Sequence, residues 1–190
     1  MDNNATKSLI VKSFKELVKT NKYEKITIKM IADGAGVIRP TFYNHFKDKD
    51  EVFEYILEQE LENTVEALIC MKMYHEALKT IYMFILNDLT FYRKAFKVRG
   101  QNSFESSLKK SLKIIVLRIL EANAFEEHED YRLLNRENLS LFYSEMIYST
   151  IDSQIIQNSE ENIDVDEMMD TLTYLLSHSI LEVLGIADDR

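Results

Sequence analysis

Arg39, Thr41, Tyr43 and Asn44 fall within one six-residue stretch of the chain. A guanidinium and a carboxamide can each form paired hydrogen bonds with base edges in the major groove, while hydroxyl groups hold phosphate oxygens. That is binding chemistry. Residues that could break bonds are dispersed: His45, His75, His128 and His178 stand far apart, with no nucleophile motif, glycine-rich phosphate loop or metal-ligand string beside them. Glu126, Glu127, His128, Glu129 and Asp130 could touch a cation, but a charged loop between helices explains the cluster better. His178 and Glu182 share a helix face as a weak metal pair, and Cys70, with no Cys or His neighbour, reads as a packed residue. No cofactor and no enzymatic activity are expected. The readings from another class are an enzyme or a helical small-molecule-binding protein that does not bind DNA.

For those four residues to act together they must share one face of one element. Pro40 is harmless in the first turn of a helix, so a short helix over residues 39–46 is predicted, anchored by Phe42 and Phe46. At about 100° per residue, Pro40, Thr41, Tyr43, Asn44 and Lys47 point away from those two rings, with Arg39 at the flank. The preceding helix is expected to start at the N-cap Thr27, stapled by Ile26 and Ile31, and to stop near Gly34. Gly36 then supplies the left-handed residue of a tight turn. Before it, Ile10, Phe14, Leu17 and Val18 recur at helical spacing over residues 6–21. After it, Asp48 can cap a long helix with Glu51 in its first turn. A helix, a tight turn and a short helix with polar groups outward is the helix-turn-helix arrangement. The spacing alone leaves an ordinary helical corner equally open.

Composition and charge limit the alternatives. The chain has 190 residues, 46% hydrophobic and 29% charged, with four Gly and one Pro, which favours an all-α globule over a β architecture. A single cysteine excludes an internal disulfide and fits a reducing, cytoplasmic setting. The amino terminus lacks the apolar core of a signal peptide, and uncharged runs such as Thr171–Leu181 are about half the ~20 residues needed to span a bilayer. The net charge of −9 hides a division: residues 1–49 hold ten Lys or Arg and five Asp or Glu, and residues 50–190 hold 13 bases and 27 acids. Two domains, 1–49 and 50–190, are expected, the first attractive to phosphate and the second repellent.

Residues 26–57, ITIKMIADGAGVIRPTFYNHFKDKDEVFEYIL, resemble the TetR family of transcriptional regulators, whose DNA-binding domain carries T-x-x-x-I-A-x-x-A-G-V-x-x-x-T-x-Y-x-H-F-x-x-K-x-x-L. Thr27, Ile31, Ala32, Ala35, Gly36, Val37, Thr41, Tyr43, His45, Phe46 and Lys49 carry the match. The wording TFYNHF-x-D-K is similar to a subgroup that includes activators of dihydroxyacetone-kinase genes. The resemblance implies that Lys29, Arg39, Pro40 and Asn44 lie nearest the bases, and that Thr41, Tyr43, His45 and Lys49 chiefly hold phosphates of double-stranded DNA. Three residues depart from the pattern. Ile38 stands where a capping Ser or Thr is common, Gly34 replaces a better helix former, and Asp33 brings a negative charge to the turn.

Helices are expected over 48–72, 75–89, 91–98, 104–125, 132–157 and 165–185, the first of them a rigid connection with Val52, Phe53, Ile56, Leu57, Leu61 and Val65 inward. The stretch Ile114–Leu120 is apolar on nearly every side and suggests a covered central helix. The resemblance implies a homodimer through the last two long helices, with Leu139, Phe142 and Met146 on one and Met168, Leu172, Leu175, Leu176 and Val183 on the other. It also implies a regulatory domain that holds a small-molecule effector, for which Tyr82, Phe91, Tyr92, Phe96 and Tyr143 are candidates, or that docks a protein co-regulator. Ordinary packing accounts for the same aromatics. A repressor released by its effector is the expectation, with an activator under a protein co-regulator as the alternative.

Overall fold

The computed structural model describes residues 3–100, 103–123, 125, 131–157, 164–177 and 183, and no strand occurs among them. The first helix, α1 (Asn3–Thr20), is amphipathic: Ile10, Phe14 and Val18 are buried and Lys12 is exposed. A single 3₁₀ turn, Tyr23–Lys25, leads to α2 (Ile28–Gly34). Thr27 caps α2 by accepting the Met30 amide at 3.2 Å, and Ile26 and Ile31 are buried as the staple requires. The chain reverses at Gly36, whose φ is +67°, and the Val37 amide closes onto the Ala32 carbonyl at 2.9 Å, the six-to-one bond of a Schellman turn. The next helix, α3 (Arg39–Tyr43), is shorter than predicted. Its last turn runs on as bonded turn residues, with the Phe46 amide donating to the Phe42 carbonyl at 2.9 Å.

Helix α4 (Asp50–Ile56) continues through a wide π-helical turn, Leu57–Glu62, into α5 (Asn63–Cys70). The six residues expected to face inward, Val52 to Val65, are all 0% exposed. The helical path is continuous from Asp50 to Cys70, and the wide turn is a local departure from regular α geometry within it. The extra residue accommodates both Leu61 and Glu62 on the inner side, where Glu62 accepts the Ser111 hydroxyl at 2.6 Å. Cys70 is exposed rather than packed, because Ile69 takes the inner position one residue earlier; its sulfur lies 3.8 Å from the Glu66 carboxylate.

Helices α6 (Tyr74–Leu86), α7 (Leu89–Ala95), α8 (Phe104–Ala122) and α9 (Arg136–Thr150) follow, the last running into a second wide turn, Ile151–Ile156. Their starts have a readable cause: Asp88, Ser103 and Asn135 cap α7, α8 and α9 through side-chain oxygens. Packing centres on an aromatic cluster. Phe14 of α1 meets Phe53 of α4 at 4.9 Å between ring centroids, Phe53 meets Phe104 of α8 at 5.5 Å, and Phe91 meets Tyr92 at 4.9 Å. Edge-to-face pairs of this kind add to the burial of the rings themselves. Helix α8 buries Ile115 and Val116 but leaves Ile114, Leu117, Ile119 and Leu120 partly exposed, so it is covered along one side and not all round.

Met1–Asn158 forms one compact unit and Ser159–Arg190 a second. The change of charge sign near residue 49 falls inside the first. In the second unit α10 (Val165–Ser177) begins at Asp164, whose carboxylate accepts the Asp166 and Glu167 amides at 3.0 and 3.1 Å. Met169 and Leu172 are buried, and Tyr174 and Leu175 are exposed. The charged cluster at 126–130 and the His178–Glu182 pair lie outside the described residues. Among the described residues no helix is long and apolar enough to cross a membrane, and no group of three His, Cys, Asp or Glu side chains is placed to hold a metal ion.

Candidate nucleic-acid interface

The short helix α3 has two unlike sides. Phe42 and Phe46, 0% and 2% exposed, fix it to the core with their ring centroids 5.8 Å apart. Opposite them the structure brings Arg39, Pro40, Tyr43 and Asn44 together in solvent, Tyr43 being 51% exposed. Thr41 and His45 are half-buried at the edges, and Lys29 is exposed on α2. A guanidinium, a carboxamide and a phenol on one narrow, convex helix match the donors and acceptors at the major-groove floor and the phosphates at its rim. Ile38 at the start of α3 makes no side-chain cap and is 69% exposed, as the departure from the family pattern implies.

What holds α3 in place is the fit of α2 against α1. Ser13 of α1 is buried and donates its hydroxyl to the Ile31 carbonyl at 2.8 Å. A Cβ built on Gly34 would lie 2.4 Å from that hydroxyl oxygen. By helix propensity alone Gly34 is a defect; the close approach of two helices is the physical reason for it.

A second fixture joins the connection between α1 and α2 to the start of α4. Asp48 accepts the Asp50 and Glu51 amides at 3.0 and 2.9 Å, and the Glu51 carboxylate reaches back to the Lys47 amide. Lys49, expected on a phosphate, directs its ammonium to the Tyr23 and Ile26 carbonyls at 2.7 and 3.1 Å and lies 4.0 Å from the Tyr23 ring centroid. Burial holds its pKa below the usual lysine value. An ammonium has three donors, so one remains for a phosphate. Tyr23 completes the node by donating its hydroxyl to Asp50, and burial together with that carboxylate raises its pKa. Sequence reasoning missed Tyr23. Its partner is 27 residues away, and no local periodicity signals such a contact.

The aromatic candidates for an effector are mostly core. Tyr82, Phe91, Tyr92 and Phe96 are buried, and Phe96 packs on Phe104 and Tyr148 at 5.3 and 6.0 Å. Tyr143 is half-buried, edge-on to Phe142 at 5.4 Å. Tyr82 differs from the others. Its hydroxyl is fully buried and makes no hydrogen bond of good geometry among the described residues; Thr150, whose own hydroxyl donates to the Met146 carbonyl at 3.0 Å, is the polar neighbour with a lone pair to accept from it. Grooves of about 370 and 280 Å³ are lined by other residues, the larger crossed by the Lys15–Glu60 ion pair at 2.5 Å.

Residues 10–56 match the family model described as bacterial regulatory proteins, tetR family. A curated relative, the HTH-type dhaKLM operon transcriptional activator DhaS of Lactococcus lactis subsp. lactis (strain IL1403), is 27% identical over 93 residues, 49% of this chain. The match spans half of that relative's length, 50%. Among solved structures, a dihydroxyacetone kinase operon activator DhaS superposes with a TM-score of 0.64 at 21% identity, covering 90% of this chain and 94% of that one. NalD, the secondary repressor of the MexAB-OprM multidrug efflux pump in Pseudomonas aeruginosa, superposes with a TM-score of 0.61 at 15% identity, covering 91% and 95%. At these identities the solved structures establish the fold.

Proposed function

We propose that this chain, whose residues 10–56 match the model of the tetR family of bacterial regulatory proteins, is a regulator of that family and acts on transcription by seating α3 in the major groove of operator DNA. The observation that carries this reading is the outward face of α3. Arg39 and Asn44 read base edges; Thr41, Tyr43 and His45 fix the register on phosphates; Lys29 and Pro40 border the bases from either side. Lys49 adds one remaining donor and, through Tyr23 and Ile26, keeps the first turn of α4 against the recognition unit. The division of labour is residues 1–49 for DNA and residues 50–190 for regulation and dimerisation, in the cytoplasm. Nothing in the tetR-family match points to enzymatic chemistry.

The protein acts as a homodimer. Leu141 and Phe142 on α9 and Tyr174 and Leu175 on α10 are large apolar side chains left 47 to 65% exposed, which suits pairing with a second copy. Two copies then present two α3 helices to half-sites about one helical turn apart, or a multiple of it. Repression relieved by a small effector is the proposed outcome. Helix α4 continues through the wide turn into α5, so a ligand that prefers one shape of the regulatory part changes the separation of the two α3 helices. A coupling of about 1–3 kcal/mol alters DNA affinity roughly 5–150-fold. The buried hydroxyl of Tyr82 marks the first place to look for such a ligand, with Phe91, Tyr92, Phe96 and Tyr143 as the other aromatic candidates.

The relative described as the dhaKLM operon transcriptional activator favours a second reading, activation; a protein co-regulator on the regulatory part is the form of control proposed with it. Selection of bound duplexes from a random pool, followed by light scattering of the free protein and release tests with candidate ligands, separates the readings. Enrichment of a two-fold-related sequence by a dimer supports the proposal. A monomer that enriches no sequence contradicts it.

A further inference from the structure

The acidic part of the chain contains two basic windows, and in one of them Lys109, Lys110, Lys113 and Arg118 are all paired with carboxylates; the other is different. Between Asp88 and Glu105 there is no acidic residue, and Arg93, Lys94, Lys97 and Arg99 fall inside. Two of these four are engaged: Arg93 donates to the Ile155 carbonyl at 3.4 Å, and Arg99 lies 3.7 Å from Glu105. Lys94 and Lys97 are exposed, and neither meets a carboxylate among the described residues. Both line a groove of about 280 Å³ between the end of α1 and the end of α7, where they face Lys22 across a floor that includes the buried Val18 and Val98. Glu24 is the one acid on its rim, which leaves the groove two positive charges in excess. Thr20 and Asn21 also line it, but their hydrogens are committed: the Thr20 hydroxyl donates to the Glu16 carbonyl at 2.9 Å, and the Asn21 side-chain amide to the Leu17 carbonyl at 3.1 Å and the Thr20 oxygen at 2.9 Å. The free donors are therefore the three ammoniums.

We infer that this groove holds backbone phosphates of the duplex that flanks the sequence read by α3. Resting on the DNA-binding reading above, the inference extends the contact surface beyond residues 1–49 to α7 of the regulatory part. Three features support a backbone rather than a base or a shaped ligand. Lysine is a compact, strongly hydrated point charge that attracts phosphate without the bidentate geometry needed to read a base. The groove is open and its cations are exposed, as suits a polyanion that passes by. It is also continuous in the chain with the recognition surface: exposed Lys22, Lys25 and Lys29 lead from it along the 3₁₀ turn and α2 toward α3. Elsewhere the acidic part repels a polyanion; at this window it does not.

The test uses the full-length protein and the duplex recovered from the random pool, once trimmed to the enriched sequence alone and once extended by about one helical turn, roughly 10 base pairs, on each side. The variant is Lys22→Gln/Lys94→Gln/Lys97→Gln, with Lys79→Gln as a control for loss of a lysine elsewhere. The inference predicts that the parent gains affinity on extension and that the triple variant loses this gain, a change of roughly tenfold at low salt. The slope of log affinity against log salt on the extended duplex should fall by about 0.9 for each phosphate that the variant no longer neutralises. On the trimmed duplex, parent and variant should bind alike. Equal affinities on the extended duplex overturn the inference and leave the DNA-binding reading intact. Failure of the parent on both duplexes overturns that reading itself. Heat of binding with pyrophosphate in the absence of DNA, combined with no dependence on duplex length, would assign the groove to a free phosphate ester and overturn the backbone assignment.

Discussion

The outward face of α3 and the aromatic cluster around α7 are both dense in rings and polar groups, yet they are built for opposite ends. On α3 two rings are sunk and everything else stays in water: Phe42 is 0% exposed while its neighbour Tyr43 is 51% exposed. Around α7 nearly every ring is sunk: Phe91, Tyr92 and Phe96 are 0 to 6% exposed and touch rings from α1, α4 and α8. The difference teaches that a recognition surface is identified by costly side chains left exposed on a fixed element. Aromatic content alone identifies only a core.

That comparison can be broken at several points, and the core offers the largest effect. Phe91→Ala empties a site fully enclosed by rings and should destabilise the protein by about 3–5 kcal/mol in denaturant unfolding. A folded, equally stable variant would mean that Phe91 borders a void instead of filling the core. Gly34→Ala comes next. Its methyl would strike the Ser13 hydroxyl, and overpacking of this kind costs about 1–3 kcal/mol, more than the roughly 1 kcal/mol that alanine gains in helix propensity. Ser13→Ala in the same chain should recover part of the loss, which a double-mutant cycle would detect. The smallest effect is expected at the α4 node. Tyr23→Phe removes the hydrogen bond to Asp50 and should cost about 1 kcal/mol at neutral pH. Because the folded state raises the phenol's pKa above 10.0, the parent's advantage is complete below pH 10.0 and declines as pH rises further. The gap between parent and Tyr23→Phe should narrow over that range.

Much of the recognition unit was legible in the chain because its determinants are local. The Thr27 cap, the Ile26–Ile31 staple, the left-handed Gly36 and the Phe42–Phe46 spacing each involve residues a few positions apart, and each appears in the structure. The exposure of Tyr43 and Asn44 follows from that spacing. What could not be read depends on distant partners. Ser13 against Gly34 explains a glycine that looked like a defect, and Tyr23 and Ile26 take two of the three donors of Lys49, a structural use its position in the chain does not announce. The wide turn at Leu57–Glu62 has the same origin, since Glu62 turns inward to a serine 49 residues away. The long apolar run at Ile114–Leu120 misled for the converse reason: a run of apolar residues records how many could be buried, and neighbours decide how many are.

Base reading by α3 is the central claim, and one titration tests it most directly. Parent, Arg39→Ala and Asn44→Ala are each titrated with the selected duplex and with a scrambled duplex of equal length and salt. A loss of preference worth about 1–3 kcal/mol in each variant, with binding to the scrambled duplex little changed, is the predicted result. Undiminished preference in both variants would show that the sequence is read elsewhere on the molecule.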